Sequence, residues 1–224
     1  MKEMILKKAW VFSDIEGVRE VEEGGTYYIF EYDKLPPIEI NLDNEFNWLR
    51  PHSEYLSEED WSYDFKEQLE ILQKDAKSKG LVIPKNFIEF MGTSDLLRRI
   101  RSNTDCYFEL GDYIAEIPNT NGLYFLHFLS DSQYCRLWYL CLDKEGNNCI
   151  VSSYKVYGHI EDPHEEEDDD DDNEYTVDYF CAPTFNDFIY RFWIENEIWF
   201  KIHEQQQLDE IEQRYVQYYL DNKN

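Results

Sequence analysis

The chain has 224 residues and carries 48 Asp plus Glu against 21 Lys plus Arg, a formal net charge of -27. That balance argues against a direct DNA or RNA ligand, which needs clustered cations for phosphate. A 17% aromatic content argues against a disordered acidic chain, which lacks the apolar surface to fold.

Residues 1–50 read as a strand-rich, turn-rich N-terminal extension to a main domain at 51–224. Charges break every apolar stretch of the first ten residues, so no secretory h-region is expected. Thr26-Tyr27-Tyr28-Ile29-Phe30 is β-branched and aromatic between Gly24-Gly25 and Pro36-Pro37, a strand signature. Ser57 is a candidate N-cap, with acids in the first turn. Trp61, Phe65, Leu69, Leu72 and Ala76 then recur on one helical face, and Gly80 ends it. Pro84 opens a second helix through Phe87, Ile88 and Met91 to Gly92, and Ser94 is expected to cap a third.

From Asp105 the texture becomes strands at 106–110, 113–117, 122–129, 133–142 and 148–156, split by short polar turns. This predicts an antiparallel meander. Both faces of Leu137-Trp138-Tyr139-Leu140-Cys141-Leu142 are apolar, so helices or extra chain must cover the sheet on both sides. Residues 161–174 hold eleven acids and read as a loop; without them the charge is still -16. Calcium binding is disfavoured there because the tract lacks the glycine and ligand spacing of an EF-hand. A strand at 175–181 leads to Thr184, which caps a long helix with Asp187 in capping-box position. Leu208, Ile211, Tyr215 and Tyr218 or Tyr219 mark a last helix. The fold class is α+β, an antiparallel meander flanked by helices.

Three segments in order resemble the SUKH superfamily of cell-wall-synthesis-regulator-like and bacterial immunity proteins. They are Gly80-Leu81-Val82-Ile83-Pro84-Lys85-Asn86-Phe87-Ile88-Glu89-Phe90-Met91, the strand-turn-strand from Phe128 through Ser130-Asp131-Ser132 to Leu140, and Ala182-Pro183-Thr184-Phe185-Asn186-Asp187-Phe188-Ile189-Tyr190-Arg191-Phe192-Trp193. Met91-Gly92-Thr93 stands where an Asn-Gly is common, and the acidic insert is not a family feature. The resemblance implies a helix-flanked sheet and a protein that neutralises a toxin by binding it. A nuclease toxin has a basic substrate surface, which an acidic protein can occupy with electrostatic steering.

The expected function is therefore a non-enzymatic, cytoplasmic binding module for a basic protein partner such as a toxin domain. No cofactor, metal, membrane or direct nucleic-acid ligand is expected. Partner-binding candidates are the turn acids Asp105, Glu109, Asp112 and Asp131, with Tyr134 as an anchor. Each acid has turn formation as its plain alternative. Cys135 and His127 are the nearest approach to a nucleophile and base, but read as a core thiol and a satisfied histidine. A regulatory scaffold and a carboxylate-based carbohydrate hydrolase are the alternatives. The five cysteines read as reduced and mostly buried. Arg98-Arg99-x-Arg101 reads as the cationic end of a helix.

Overall fold

A computed structural model describes residues 6–19, 25–52, 63–120, 122–160 and 178–222. Its elements are β1 (Lys7–Phe12), β2 (Tyr28–Glu31), α1 (Lys66–Lys79), α2 (Lys85–Met91), α3 (Ser94–Arg98), β3 (Tyr107–Phe108) and β4 (Ala115–Glu116). β5 (Tyr124–Ser130), β6 (Leu137–Leu142), β7 (Asn148–Ser153), β8 (Tyr179–Ala182), α4 (Phe185–His203) and α5 (Glu210–Asp221) complete them. The strands form one sheet in the order β2-β1-β8-β7-β6-β5-β3, with β4 also on β5. The class is α+β as expected, and the sheet is mostly antiparallel. Its one parallel pairing joins β1 to β8, so the N-terminal segment enters the main sheet.

The meander is real from β5 to β7, because each short turn there returns the chain directly beside itself, and β8 pairs antiparallel with β7. β3 and β4 do not pair with each other; both lie along β5, at its two ends. α1 buries Leu69, Leu72 and Ala76 as the periodicity requires. It starts at Lys66, however, and residues 63–65 are not helical, so the helix does not run on from a cap at Ser57. Ser57 itself lies outside the described residues. Gly80 takes φ 73, and the bonds Leu81 N–H to Ala76 O and Gly80 N–H to Lys77 O close a Schellman end. α3 is capped at Thr93, one residue before the expected Ser94, without a side-chain cap.

α4 is buried almost all round through Ile198, and its neighbours explain why. Phe188 and Phe192 pack on Trp10, Phe12 and Trp138 of the sheet. Phe185 meets Phe87 of α2, with ring centroids 4.9 Å apart. On its outer side Trp48 covers Tyr190 and Trp193, and Arg191 donates to Pro36 O at 2.8 Å. Residues 36–49 thus wrap the helix as well as following the sheet's edge strand. Each such fully buried apolar side chain contributes roughly 1.5–3 kcal/mol. Thr184 Oγ1 accepts from Asp187 N–H at 3.1 Å, the cap the sequence predicts.

The second face of β6 is also covered, though by extended chain. Leu137, Tyr139 and Cys141 form a smaller core with Phe125 and Val151. Tyr157 lies edge-on to Phe125 and Tyr139. Tyr139 Oη donates to Lys155 O at 2.8 Å and accepts from Tyr157 N–H at 3.1 Å. The expected strand 133–142 begins only at Leu137, because residues 131–136 make the hairpin turn. The strand expected at 175–181 is β8, starting at Tyr179, and the acidic tract 161–174 lies outside the described residues. Cysteine burial is less general than expected: Cys141 and Cys181 are buried, whereas Cys135 is exposed and not core.

Candidate functional site

β5 carries a bulge between His127 and Leu129. In a regular strand residues three apart point to opposite faces. The extra residue turns His127 and Ser130 to the same side, and their Nε2 and Oγ stand 2.8 Å apart. Beyond the short strand β3, Glu109 N–H donates to Phe128 O and Gly111 N–H to His127 O, which holds Glu109 over the bulge. Ser130 Oγ donates to Glu109 Oε1. On the other side His127 Nδ1 meets His159 Nε2 at 2.6 Å. His159 Nδ1 lies 3.8 Å from Asp112 Oδ2.

The partners decide where the protons sit. His127 Nε2 faces the Leu129 carbonyl at 3.1 Å, an acceptor only, so it carries the hydrogen. Its Nδ1 is then bare and accepts from His159 Nε2–H. A further proton on Nδ1 would set N–H against N–H in a buried site. Burial and the facing His159 accordingly lower the His127 pKa to about 3. The Ser130 proton is directed to Glu109, and His127 faces Ser130 with an N–H. In this wiring His127 is not positioned as a base for the serine, and Ser130 is fully buried. The arrangement fixes the orientation of the Glu109 carboxylate.

Three of the five predicted residues come to this edge. Glu109 Oε2 accepts from Tyr134 Oη at 3.2 Å, across 25 residues of chain. Tyr134 is 42% exposed and sits at φ 56 in the β5–β6 turn. Burial, the Tyr107 hydroxyl and the Glu109 charge raise its pKa. Asp112 is 46% exposed and accepts from Ile160 N–H at 2.9 Å. Tyr113 and Ile160, the latter 77% exposed, place apolar surface beside it. Asp131 is instead buried and bonded into the hairpin turn, its Oδ1 accepting from Gln133 N–H and its carbonyl from Tyr134 N–H. Its plain role in the turn holds, and a contact surface it is not. Asp105 is exposed at φ 53 before β3, and among the described contacts nothing ties it to Glu109.

Sequence reasoning took His127 as a satisfied histidine, which it is, but missed that its partners are His159 and Ser130. The signal was faint: Gly158 before His159. Gly158 sits at φ 82, and a Cβ there would stand 2.6 Å from Tyr113 O. Its carbonyl accepts from Asp112 N–H and Tyr113 N–H. Gly158→Ala is expected to cost about 1–3 kcal/mol and to separate the two imidazoles. Gly146→Ala, at φ 88 but in open space, should cost less. Equal urea midpoints for the two variants would show that the close approach does not matter.

The cationic cluster expected to end a helix is taken up internally. Arg99 donates to Leu49 O and Asp95, and Arg101 pairs with Glu197 and Glu204 on α4. Among the described residues no three His, Cys, Asp or Glu side chains are grouped to hold a metal ion. No helix among them is long and apolar enough to cross a membrane. Comparison with protein-family models, curated proteins and solved structures finds no match for the chain.

Proposed function

We propose that this protein is a non-catalytic binding module that seats a basic protein domain on the edge formed by Glu109, Asp112 and Tyr134. The observation that carries this reading is the Tyr134–Glu109–Ser130–His127 chain, which holds an acid and an exposed tyrosine in fixed relation. A preorganised carboxylate loses little side-chain freedom when a Lys or Arg arrives, and a tyrosine ring supplies contact area at low entropic cost. Tyr113 and Ile160 extend the edge with apolar surface. The charge of the chain draws a cationic partner in, and the excess remains -16 without the acidic tract.

The resemblance of residues 80–91, 128–140 and 182–193 to the SUKH superfamily supports an immunity role. The partner is then a toxin domain with a basic substrate surface, met in the reducing cytoplasm by a protein whose cysteines are free thiols. Co-expression with a basic toxin domain is the direct test: cells that die as fast as without this protein sink the immunity reading for that pair. The face has its own test. Tyr134→Ala is expected to weaken binding about 30-fold, the scale of a hot-spot residue. Glu109→Gln should weaken it about tenfold, whereas Glu67→Gln on α1 should not change it. Unaltered affinity in both edge variants would move the contact elsewhere. Association should also slow steeply between low and high salt, since steering is screened. Replacing Asp168 to Asp172 by Ser should slow association further while leaving the unfolding midpoint in place.

A further inference from the structure

The helix-covered face of β6 and β7 holds buried hydrogen-bond donors that nothing among the described residues accepts from. Arg136 is fully buried at the start of β6, and Nε, Nη1 and Nη2 all lack a partner among the described residues. Two residues on, and on the same face, Trp138 Nε1 is equally orphaned. Ser152, directly opposite Trp138 in the β6–β7 register, has a buried Oγ without a partner. These groups are adjacent rather than scattered. Tyr27 packs on Trp138, and Tyr179, opposite Ser152 on β8, lies beside the Arg136 guanidinium.

An unpaired buried donor costs about 1–3 kcal/mol and a charged one more, so folded proteins seldom keep several together without a use. Elsewhere in this fold each buried guanidinium has at least one acceptor, Arg19 in Glu195, Arg101 in Glu197 and Arg191 in Pro36 O, although Nε of Arg19 and of Arg191 lacks one; only Arg136 has none at any nitrogen among the described residues. Here burial alone dominates, and it pushes the Arg136 pKa below its ordinary value. The groups around it are aromatic, apart from the buried Asp178, whose carboxyl feels the Arg136 charge but makes no hydrogen bond to it among the described contacts. Tyr154 lies 3.5 Å from the guanidinium carbon, against its face. That stack occupies the face and leaves the in-plane N–H fork, the edge that matches a carboxylate with two parallel bonds.

We propose that Arg136, with Trp138 Nε1 and Ser152 Oγ, is a binding site for a small monocarboxylate. The ligand class follows from the donors and the walls. Every orphan is a donor or, for the serine, able to donate, so the ligand supplies acceptors. A single guanidinium balances a single charge, and a body of net charge -27 disfavours a multiply charged anion. Tyr27, Tyr154 and Tyr179 offer ring surface to an apolar or aromatic remainder. Tyr154, stacked on the guanidinium and 45% exposed, is the solvent-facing member of the group. This site is distinct from the edge at Glu109 and does not depend on the partner proposed there.

The test uses the full chain with sodium acetate and sodium benzoate, against sodium chloride at matched ionic strength and inorganic phosphate. A saturable rise in Tm is expected, about 5–10 °C at a hundredfold excess over Kd. The indole N–H resonance of Trp138, assigned with Trp138→Phe, should move along the same titration. Arg136→Met should abolish both responses while the protein remains folded, checked by a cooperative unfolding transition without ligand. Arg136→Lys keeps charge but not the fork and should weaken Kd at least tenfold. Ser152→Ala should weaken it severalfold with the fold intact. No saturable response to either carboxylate overturns the proposal. So does a response kept by Arg136→Met, or phosphate binding tighter than both carboxylates.

Discussion

Glu195→Ala is expected to cost about 3–5 kcal/mol, the largest single loss in the molecule. Glu195 is completely buried on α4 and accepts from four side chains of three other segments. Arg19 gives both guanidinium nitrogens, Nη1 to Oε1 at 3.0 Å and Nη2 to Oε2 at 2.9 Å. Trp10 Nε1 of β1 donates at 2.8 Å, and Tyr215 and Tyr219 of α5 at 2.8 and 3.1 Å. Burial works against the Arg19 charge, but Glu195 outweighs it and holds the guanidinium above its ordinary pKa. Removing the carboxylate strands that cation and three neutral donors at once. Against a total stability of about 5–15 kcal/mol this is a third or more. The double variant Arg19→Met with Glu195→Met should recover part of the loss, since no charge is left unpaired. Full recovery is not expected, because Trp10, Tyr215 and Tyr219 still lack their acceptor. A urea midpoint within 1 kcal/mol of the parent for Glu195→Ala would refute the hub. So would a double variant no more stable than the single.

The second large effect is on pH dependence. His127 has its folded pKa lowered to about 3, against about 6.5 when unfolded. Between those values the unfolded chain binds a proton that the folded protein refuses. The stability conferred by the neutral ring is therefore complete above pH 6.5 and is lost as pH falls towards 3. The slope approaches 1.4 kcal/mol per pH unit, about 4–5 kcal/mol over the window. His127→Gln should remove that slope while leaving the rest of the profile. Asp178 works in the opposite sense above pH 3.8, because burial raises its pKa and the folded state then holds its proton. It is present in both proteins, so the difference between the two profiles isolates His127. Parallel profiles from pH 6.5 to 4 would mean that His127 is protonated in the fold.

The helices were the most legible elements, for reasons visible in particular residues. Thr184 and Asp187 announce α4 because the cap bond spans three residues, and Pro84 and Gly80 bracket a turn in the same local way. The start of α1 misled, since an acidic first turn after Ser57 looks the same whether or not residues 63–65 continue it. In α5, Asp209 and Glu212 form a full capping box that the sequence reading passed over for the apolar stripe behind it. The candidate edge was half legible. Glu109, Asp112 and Tyr134 stood out as turn residues, but so did Asp131, whose carboxylate is spent on its own turn.

Turn chemistry, helical periodicity and the excess of negative charge act within a few residues or by simple addition, so the chain alone carries them. They set the α+β class, the β5–β7 meander and the acidic character of the chain. Register and long-range pairing belong to the assembled fold. One extra residue at the β5 bulge turns His127 towards Ser130, and a parallel pairing with β8 brings β1 into the sheet. Arg136, Trp138 and Ser152 become one group of donors only because β6 and β7 pair in that register. Beyond the β5–β7 hairpins, neither local propensity nor composition encodes which strand lies beside which. Packing α4 against both sheet and N-terminal segment selects it.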